Sequence, residues 1–248
     1  INAAELLEDA LRRKRKKCMI GTGAMSDPYI HLEEKLGNTR KCIELIHHYG
    51  FGLTIQTKSA RILRDLELLK KINEKSKCVV QMTLTTYDEA LNKVVEPNVS
   101  TTRERFEALK IMRDNGIPTV VWLSPVLPFI NDTEENILGI LDYCIEAKVH
   151  GIICFGIGLT LREGNREYFY KKLDEHFPGM KARYIEKYGY AYQVSSPNNG
   201  KLMSMVKKIC KSHDILCDIN ECFSYLHKFE DKNEYEQLML PGLDKLGE

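Results

Sequence analysis

A unit of apolar strand, polar turn and amphipathic helix recurs five times with one polarity between Cys18 and Gly158, and nothing else constrains the fold as tightly. Consecutive strands of one polarity need long, right-handed crossovers, so the repeat forces a parallel sheet with helices between its strands. The strand segments are Cys18 to Gly23, Gly52 to Ser59, Cys78 to Thr86, Thr119 to Leu123 and Gly151 to Gly156. Before them, residues 3 to 16 carry Leu6, Leu7, Ala10 and Leu11 at helical spacing. Between them, Asn38 and Thr39 are expected to cap a helix that Gly50 stops. Further helices are expected over Asp65 to Glu74, Thr102 to Asn115 and roughly 133 to 147, with a charged loop from Asp88 to Ser100. Hydroxyls or other polar residues follow every strand, which favours an α/β partial barrel with one ligand-binding rim at the carboxyl ends over an open sheet.

Beyond Gly158 the rhythm stops. Residues 160 to 198 are charged and aromatic, with Tyr168, Phe169, Tyr170, Phe177, Tyr184, Tyr188, Tyr190 and Tyr192. A helix over 199–212, the apolar run Ile215-Leu216-Cys217 and a polar tail follow. The expected organisation is therefore a barrel unit, 1–158, and an α-rich carboxyl-terminal extension or lid, 159–248. With 36 basic against 35 acidic residues, the chain has no global attraction to polyanions. No apolar run is long enough to span a bilayer, and the expected location is the cytoplasm. The eight cysteines show no metal or disulfide spacing, and His47 and His48, adjacent on a helix, point apart.

Chemistry concentrates at the strand ends. Gly21-Thr22-Gly23 lacks the lysine of a phosphate loop and the third glycine of a dinucleotide fingerprint, but two glycines there let backbone approach a ligand closely. Thr57-Lys58-Ser59 offers a cation between hydroxyls, suited to a carboxylate or phosphate, or equally a solvated strand terminus. Thr83, Thr85 and Thr86 are either site hydroxyls or ordinary β-branched strand residues. Glu96 and Arg105 flank a helix start, where the arginine either holds an anion or forms a surface pair worth about 1 kcal/mol or less. The run Arg12 to Lys17 and the tyrosine-rich segment leave a second function open, a nucleic-acid-binding module whose affinity would fall steeply with salt.

Taken together, Gly23-Ala24-Met25-Ser26-Asp27-Pro28-Tyr29, Thr57-Lys58-Ser59, Thr83-Leu84-Thr85-Thr86, Val95-Glu96-Pro97, Glu104-Arg105-Phe106 and Pro128-Phe129-Ile130-Asn131-Asp132 resemble the radical S-adenosylmethionine (SAM) enzymes of the spore photoproduct lyase and "DNA repair photolyase" type. The resemblance covers residues 1 to about 165. It implies a partial TIM-like barrel of the (β/α)6 type with SAM at its carboxyl rim. Ser26 and Asp27 would lie at the amino-acid end of SAM, Lys58 would reach its carboxylate, and Thr83 would stand where the family often has a serine. Arg105 would be a further carboxylate or loop contact. It also implies a lyase-like reaction through a 5′-deoxyadenosyl radical, fed by an external electron donor, on a substrate that includes nucleic acid among the possibilities.

Two departures matter. The family holds a [4Fe-4S] cluster on a C-x3-C-x2-C triplet after its first barrel strand, and no such triplet occurs here. The expectation is a barrel lacking that first strand, with the cluster supplied in a full-length parent and absent from this chain, which begins at Ile1 without an initiator methionine. Spore photoproduct lyases proper also carry a cysteine, which returns a hydrogen atom to the product radical, where this chain has Ala24.

Overall fold

A computed structural model describes residues 2–232. In chain order the elements are α1 (Ala3–Arg13), β1 (Met19–Thr22), α2 (Glu33–Leu36), α3 (Asn38–His48), β2 (Gly52–Thr57), a 3-10 helix (Ala60–Asp65), α4 (Leu66–Lys75), β3 (Cys78–Thr83), α5 (Glu89–Val95), α6 (Thr102–Asp114), β4 (Thr119–Trp122), α7 (Glu134–Glu146) and β5 (Gly151–Ile153). After β5 come β6 (Gly158–Thr160), α8 (Asn165–His176), α9 (Met180–Tyr188), β7 (Gln193–Ser195), α10 (Asn199–Ser212) and α11 (Ile219–His227). Strands β1 to β5 form one parallel sheet in sequence order, which is the α/β partial barrel that the repeat predicts. Leu216 extends the sheet by one parallel bridge to Gly151.

Register assigns the two faces. Leu53, Ile55, Cys78, Val80, Met82, Val121 and Ile152 point outward into the main core, where they meet Ile43 and Ile46 of α3, Leu69 and Ile72 of α4, Phe106 and Leu109 of α6, Ile137 and Ile140 of α7, and Leu202 and Val206 of α10. Their alternates form the inner face: Met19 and Gly21; Thr54 and Gln56; Val79, Gln81 and Thr83; Val120 and Trp122; Ile153. α11 lies on the apolar part of this inner face, with Cys222 and Leu226 buried against Val79, Val120 and Ile153. The polar part stays uncovered.

The region after Gly158 is thus two things. β6 and β7 pair antiparallel and, with α8 and α9, enclose a small aromatic core of Leu161, Leu173, Tyr184 and Val194, joined by Phe129, Phe169 and Tyr188. This cap is tied to the loop after β4, where the Tyr184 hydroxyl donates to the Pro128 carbonyl at 2.7 Å and the Ser196 hydroxyl to Asp132 at 2.5 Å. α10 and α11 instead return to the sheet.

Several local expectations are corrected. α5 occupies the expected loop, begun by Asp88 accepting from the backbone of Ala90 and Leu91. α3 is not capped by Asn38 or Thr39, since the Thr39 hydroxyl donates to the Pro28 carbonyl instead. α7 is capped by Thr133, whose hydroxyl accepts from the Asn136 backbone. β1, β2 and β3 stop at Thr22, Thr57 and Thr83, because the hydroxyl-rich residues beyond them turn into the rim loops.

Replacing Leu226, which α11 buries against the inner sheet face, removes apolar contact on that side. Leu226→Ala is expected to cost about 2–5 kcal/mol in urea unfolding and to shift the emission of Trp122, the one tryptophan of the chain, to the red. An unchanged midpoint would show that α11 is not seated there in solution.

Candidate functional site

At the carboxyl ends of β1 to β4 the uncovered inner face opens as a cleft of ≈ 460 Å³. Its walls are the segment Gly21 to Ser26, the polar side chains of Thr54, Gln56 and Gln81, and Trp122; Phe223, Leu226 and His227 of α11 close it on the other side. A hydrogen-bonded chain crosses the inner face. Trp122 Nε1 donates to Gln81 Oε1 at 2.6 Å, and Gln81 Nε2 donates to the Thr54 hydroxyl at 2.7 Å. Gln81 is therefore fixed at both ends, whereas Gln56, its register partner on β2, offers a half-buried amide. Among the described residues, no carboxylate, lysine or arginine lines the cleft.

The β1 loop is pinned by Asp27. One carboxylate oxygen accepts from the Thr57 hydroxyl at 2.7 Å and from the Tyr29 backbone at 2.8 Å, and the other accepts from the Lys58 backbone at 2.6 Å. Gly23 has φ +99°, and a Cβ there would stand 2.0 Å from the Gln56 carbonyl oxygen. That glycine is needed for close approach to the protein's own β2, not to a ligand. Tyr29, buried under the loop, donates to Asp65 at 3.0 Å, and Asp65 also receives Arg40 and Arg64. Burial first, and then the neighbouring Asp65 carboxylate, push the Tyr29 phenol far above its ordinary value, so it stays a donor.

The β2 and β3 rims are joined by charge. Arg105 is fully buried, contrary to a surface pair. Its guanidinium donates to the Ser100 carbonyl, the Thr83 carbonyl and Glu96 Oε2, each at 2.8 Å. Glu96 Oε1 pairs with Lys58 Nζ at 2.5 Å. Asn92 and Thr85 add bonds of 3.1 and 3.4 Å to Oε2. Burial opposes ionisation of Glu96, but Lys58 and Arg105 outweigh it and hold its carboxyl below the usual carboxylate range.

Of the five residues singled out from sequence, Ser26 lines the cleft. Asp27 stands behind it. Lys58, Thr83 and Arg105 belong to the adjoining rim network and do not line the cleft, and Arg105 is fully occupied by protein partners. Sequence reasoning missed Gln56, Gln81 and Trp122. The available signal was polar residues at alternate positions of otherwise apolar strands. It also missed the wall contributed by α11.

The family model of the radical SAM superfamily matches residues 2–144. The chain belongs to the radical SAM superfamily. An uncharacterized protein of Mycobacterium tuberculosis is 30% identical to this superfamily member over 190 residues, 75% of this chain and 55% of the relative. An uncharacterized protein of Methanocaldococcus jannaschii is 33% identical over 130 residues, 52% of this chain and 49% of the relative. The chain thus spans about half the length of these curated relatives. Among solved structures, a spore photoproduct lyase variant superposes with a TM-score of 0.61 at 12% identity, covering 86% of this chain and 64% of that one. A spore photoproduct lyase variant with dinucleoside spore photoproduct gives 0.60 at 12% identity, with the same coverage. These two similarities show the fold of the superfamily.

Acid sensitivity follows from Glu96. A carboxyl whose folded pKa is depressed contributes stability above its unfolded value, 4.5, and loses that contribution as the pH falls through the lower folded one. Glu96→Gln, which leaves Arg105 buried without its counter-charge, is expected to cost about 3–5 kcal/mol at neutral pH and to flatten the acid limb of the stability curve. An acid limb as steep as that of the wild type would assign it to other groups.

Proposed function

We propose that this chain provides the SAM cradle of a radical SAM enzyme with lyase-like chemistry. The observation that carries the reading is the position and chemistry of the cleft. It opens at the carboxyl ends of parallel strands, as ligand sites of α/β barrels do, and its described lining is hydrogen-bonding and partly aromatic, which suits a nucleoside. The donor set fits SAM: the Ser26 hydroxyl, the Gln56 amide and the Trp122 face lie in the cleft, with the Lys58 cation on the rim beside it. When bound to a reducing centre, SAM supplies a 5′-deoxyadenosyl radical for hydrogen abstraction.

Within this reading each residue has a physical task. Lys58 reaches the carboxylate of SAM, and Asp27 holds the Lys58 backbone and the Ser26 loop in register. Arg105 fixes the Thr83 carbonyl, and so the end of β3. Trp122 and Phe223, with ring centroids 6.0 Å apart, keep water from the inner wall. The residues present do not fit an iron–sulfur cluster. Among those described, no three histidine, cysteine or acidic side chains converge as a metal site requires, and Cys78, Cys144 and Cys210 are buried in the helix-side core. A nucleic-acid substrate is supported by the exposed rings of Tyr168, Tyr190 and Tyr192 on the cap, Tyr190 being 95% exposed. No helix among the described residues is long and apolar enough to cross a membrane.

Because Trp122 is the single tryptophan and lines the cleft, SAM binding is expected to change its fluorescence. Lys58→Met should weaken that binding by about tenfold or more, since a charge-assisted hydrogen bond contributes roughly 1.5–3 kcal/mol. Saturable SAM binding that Lys58→Met leaves intact would reject Lys58 as the carboxylate partner.

Ala24 bears on the reaction. It lines the cleft, where no cysteine does; Cys18 and Cys154 pack in the helix-side core, the latter with its thiol 3.5 Å from Met203 Sδ. No transferable thiol hydrogen faces the cleft. Protein carrying a reconstituted cluster, given dithionite and a dinucleotide photoproduct, is expected to cleave SAM without repairing the photoproduct at the rate of a spore enzyme control. Repair at that rate would overturn the argument from Ala24.

A further inference from the structure

We infer that Cys210 and Cys217 form a reversible disulfide, a thiol–disulfide exchange site that ties the end of α10 to the root of α11 and so to the wall of the cleft.

Nothing in the i, i+7 spacing marks the pair; the path of the chain brings it together. α10 closes in a turn where the Cys210 carbonyl accepts from the backbone of His213 at 3.2 Å and of Ile215 at 3.0 Å, with Asp214 at φ +55°. The chain then runs back along β5. Leu216 bridges Gly151, donates to the His150 carbonyl at 3.1 Å and accepts from the Ile152 backbone at 2.7 Å. Alternation along such an extended segment sends successive side chains to opposite faces. Leu216 packs on the inner face with Val79, Val120 and Ile153, and Cys217 packs on the helix side, against the core that holds Cys210. There the Cys210 thiol meets the Cys217 thiol in a side-chain hydrogen bond. Cys222 is placed differently, on the inner face with its sulfur 3.6 Å from the Leu216 carbonyl oxygen and 3.8 Å from that of Ile152. Cys154 has Met203 Sδ for its partner.

Unequal exposure gives the pair an order of events. Cys217 is half-buried, whereas Cys210 is sealed in the core. Burial first, and then the neighbouring Cys217, push the Cys210 thiol up to about 12, so it keeps its proton. Cys217 is therefore the thiol that meets a reagent, and Cys210 the one that resolves. A low-molecular-weight disulfide supplies the oxidant. Cys217 gives its proton to water and its sulfur attacks one sulfur of the reagent, which breaks the reagent's S–S bond and releases one small thiol. Cys210 then gives up its proton, and its sulfur attacks Cys217 Sγ, breaking the mixed disulfide and releasing the second small thiol. Two protein thiols are oxidised to one disulfide, and one small disulfide is reduced to two thiols.

The position gives the bond its consequence. Cys217 adjoins Asp218, whose carboxylate caps α11 by accepting from the backbone of Asn220 and Glu221. α11 in turn supplies Phe223, Leu226 and His227 to the cleft. Oxidation fixes the root of that wall to α10, and reduction releases it.

The test exposes the folded 248-residue chain to oxidised glutathione, quenches it with acid and maps its cysteines by mass spectrometry. Cleavage after lysine and before aspartate separates Ile209-Cys210-Lys211, Asp214-Ile215-Leu216-Cys217 and the peptide carrying Cys222. The expected product joins the first two peptides, lighter by two hydrogen atoms, with two fewer free thiols than the eight of the reduced chain. Reduced glutathione should reverse it. Cys210→Ser should arrest the reaction at a glutathione adduct on Cys217, and Cys217→Ser should leave Cys210 unmodified; Cys210→Ala provides the same comparison if the serine variant does not fold. Trp122 emission should change on oxidation of the wild type and return on reduction, since Phe223 of α11 lies beside that ring. A wild type that shows no link, that stops at the Cys217 adduct, or that joins Cys217 to Cys222 overturns the assignment. A Cys210–Cys217 link that leaves Trp122 emission unchanged overturns its connection to the cleft wall.

Discussion

A parallel strand presents side chains to two faces, and both must be satisfied. Here the outer face is covered by helices in the ordinary way. The inner face is divided by chemistry: Val79, Val120 and Ile153 are covered by α11, whereas Thr54, Gln56, Gln81 and one side of Trp122 line a cleft. The division is chemical before it is structural. Buried Gln81 needs hydrogen-bond partners, and the strand register brings Thr54 and Trp122 into reach from either side. An apolar helix laid over that chain would leave its remaining donors and acceptors unpaired. α11 therefore covers only the apolar portion, and the cleft is what remains.

The loops leaving the strands face a related problem, because their backbone groups cannot join the sheet. Three carboxylates solve it in three places. Asp27 collects donors from Tyr29, Thr57 and Lys58. Asp65 collects Tyr29, Arg40 and Arg64. Glu96 collects Lys58, Asn92 and Arg105. Tyr29 belongs to the first two sets and Lys58 to the first and third, so the ends of β1, β2 and β3 form one connected rim. Connectivity of this kind makes a rim rigid, because no loop can shift without breaking charge-assisted bonds in its neighbour.

The large repeating elements were legible from residues because parallel strands buried on both faces read as continuous apolar runs and their helices carry a clear stripe. β6 and β7, of three residues each, have too little length for alternation to register. α11 reads as a polar tail because Cys222 and Leu226 are surrounded by Asn220, Glu221, Ser224 and His227; its apolar side becomes evident only against the inner sheet. At the site, the strand-end hydroxyls and Lys58 were singled out in the sequence as candidates. The burial of Arg105 was not anticipated. Its neighbours Phe106, Leu109 and Met112 mark the apolar face of α6, and a charged residue on the edge of such a stripe signals a buried ion with a nearby counter-charge. Glu96, nine residues earlier, was that counter-charge.

How the protein uses its cations follows from these placements. Arg105, Arg64 and Arg40 serve the fold, with guanidinium groups divided among carboxylates and backbone carbonyls. A planar fork with several donors suits that task, because one residue can satisfy acceptors from two or three loops at once. Lys58 has a different geometry: a point charge on a flexible stem, engaged by one carboxylate and open to solvent on part of its surface. Replacing it with arginine would preserve the charge but add donors that Thr85 and Asn92 already provide for Glu96 Oε2. Among the described residues the cleft lining carries no carboxylate, lysine or arginine, and it offers a ligand shape, hydroxyls, the amides of Gln56 and Gln81, and His227.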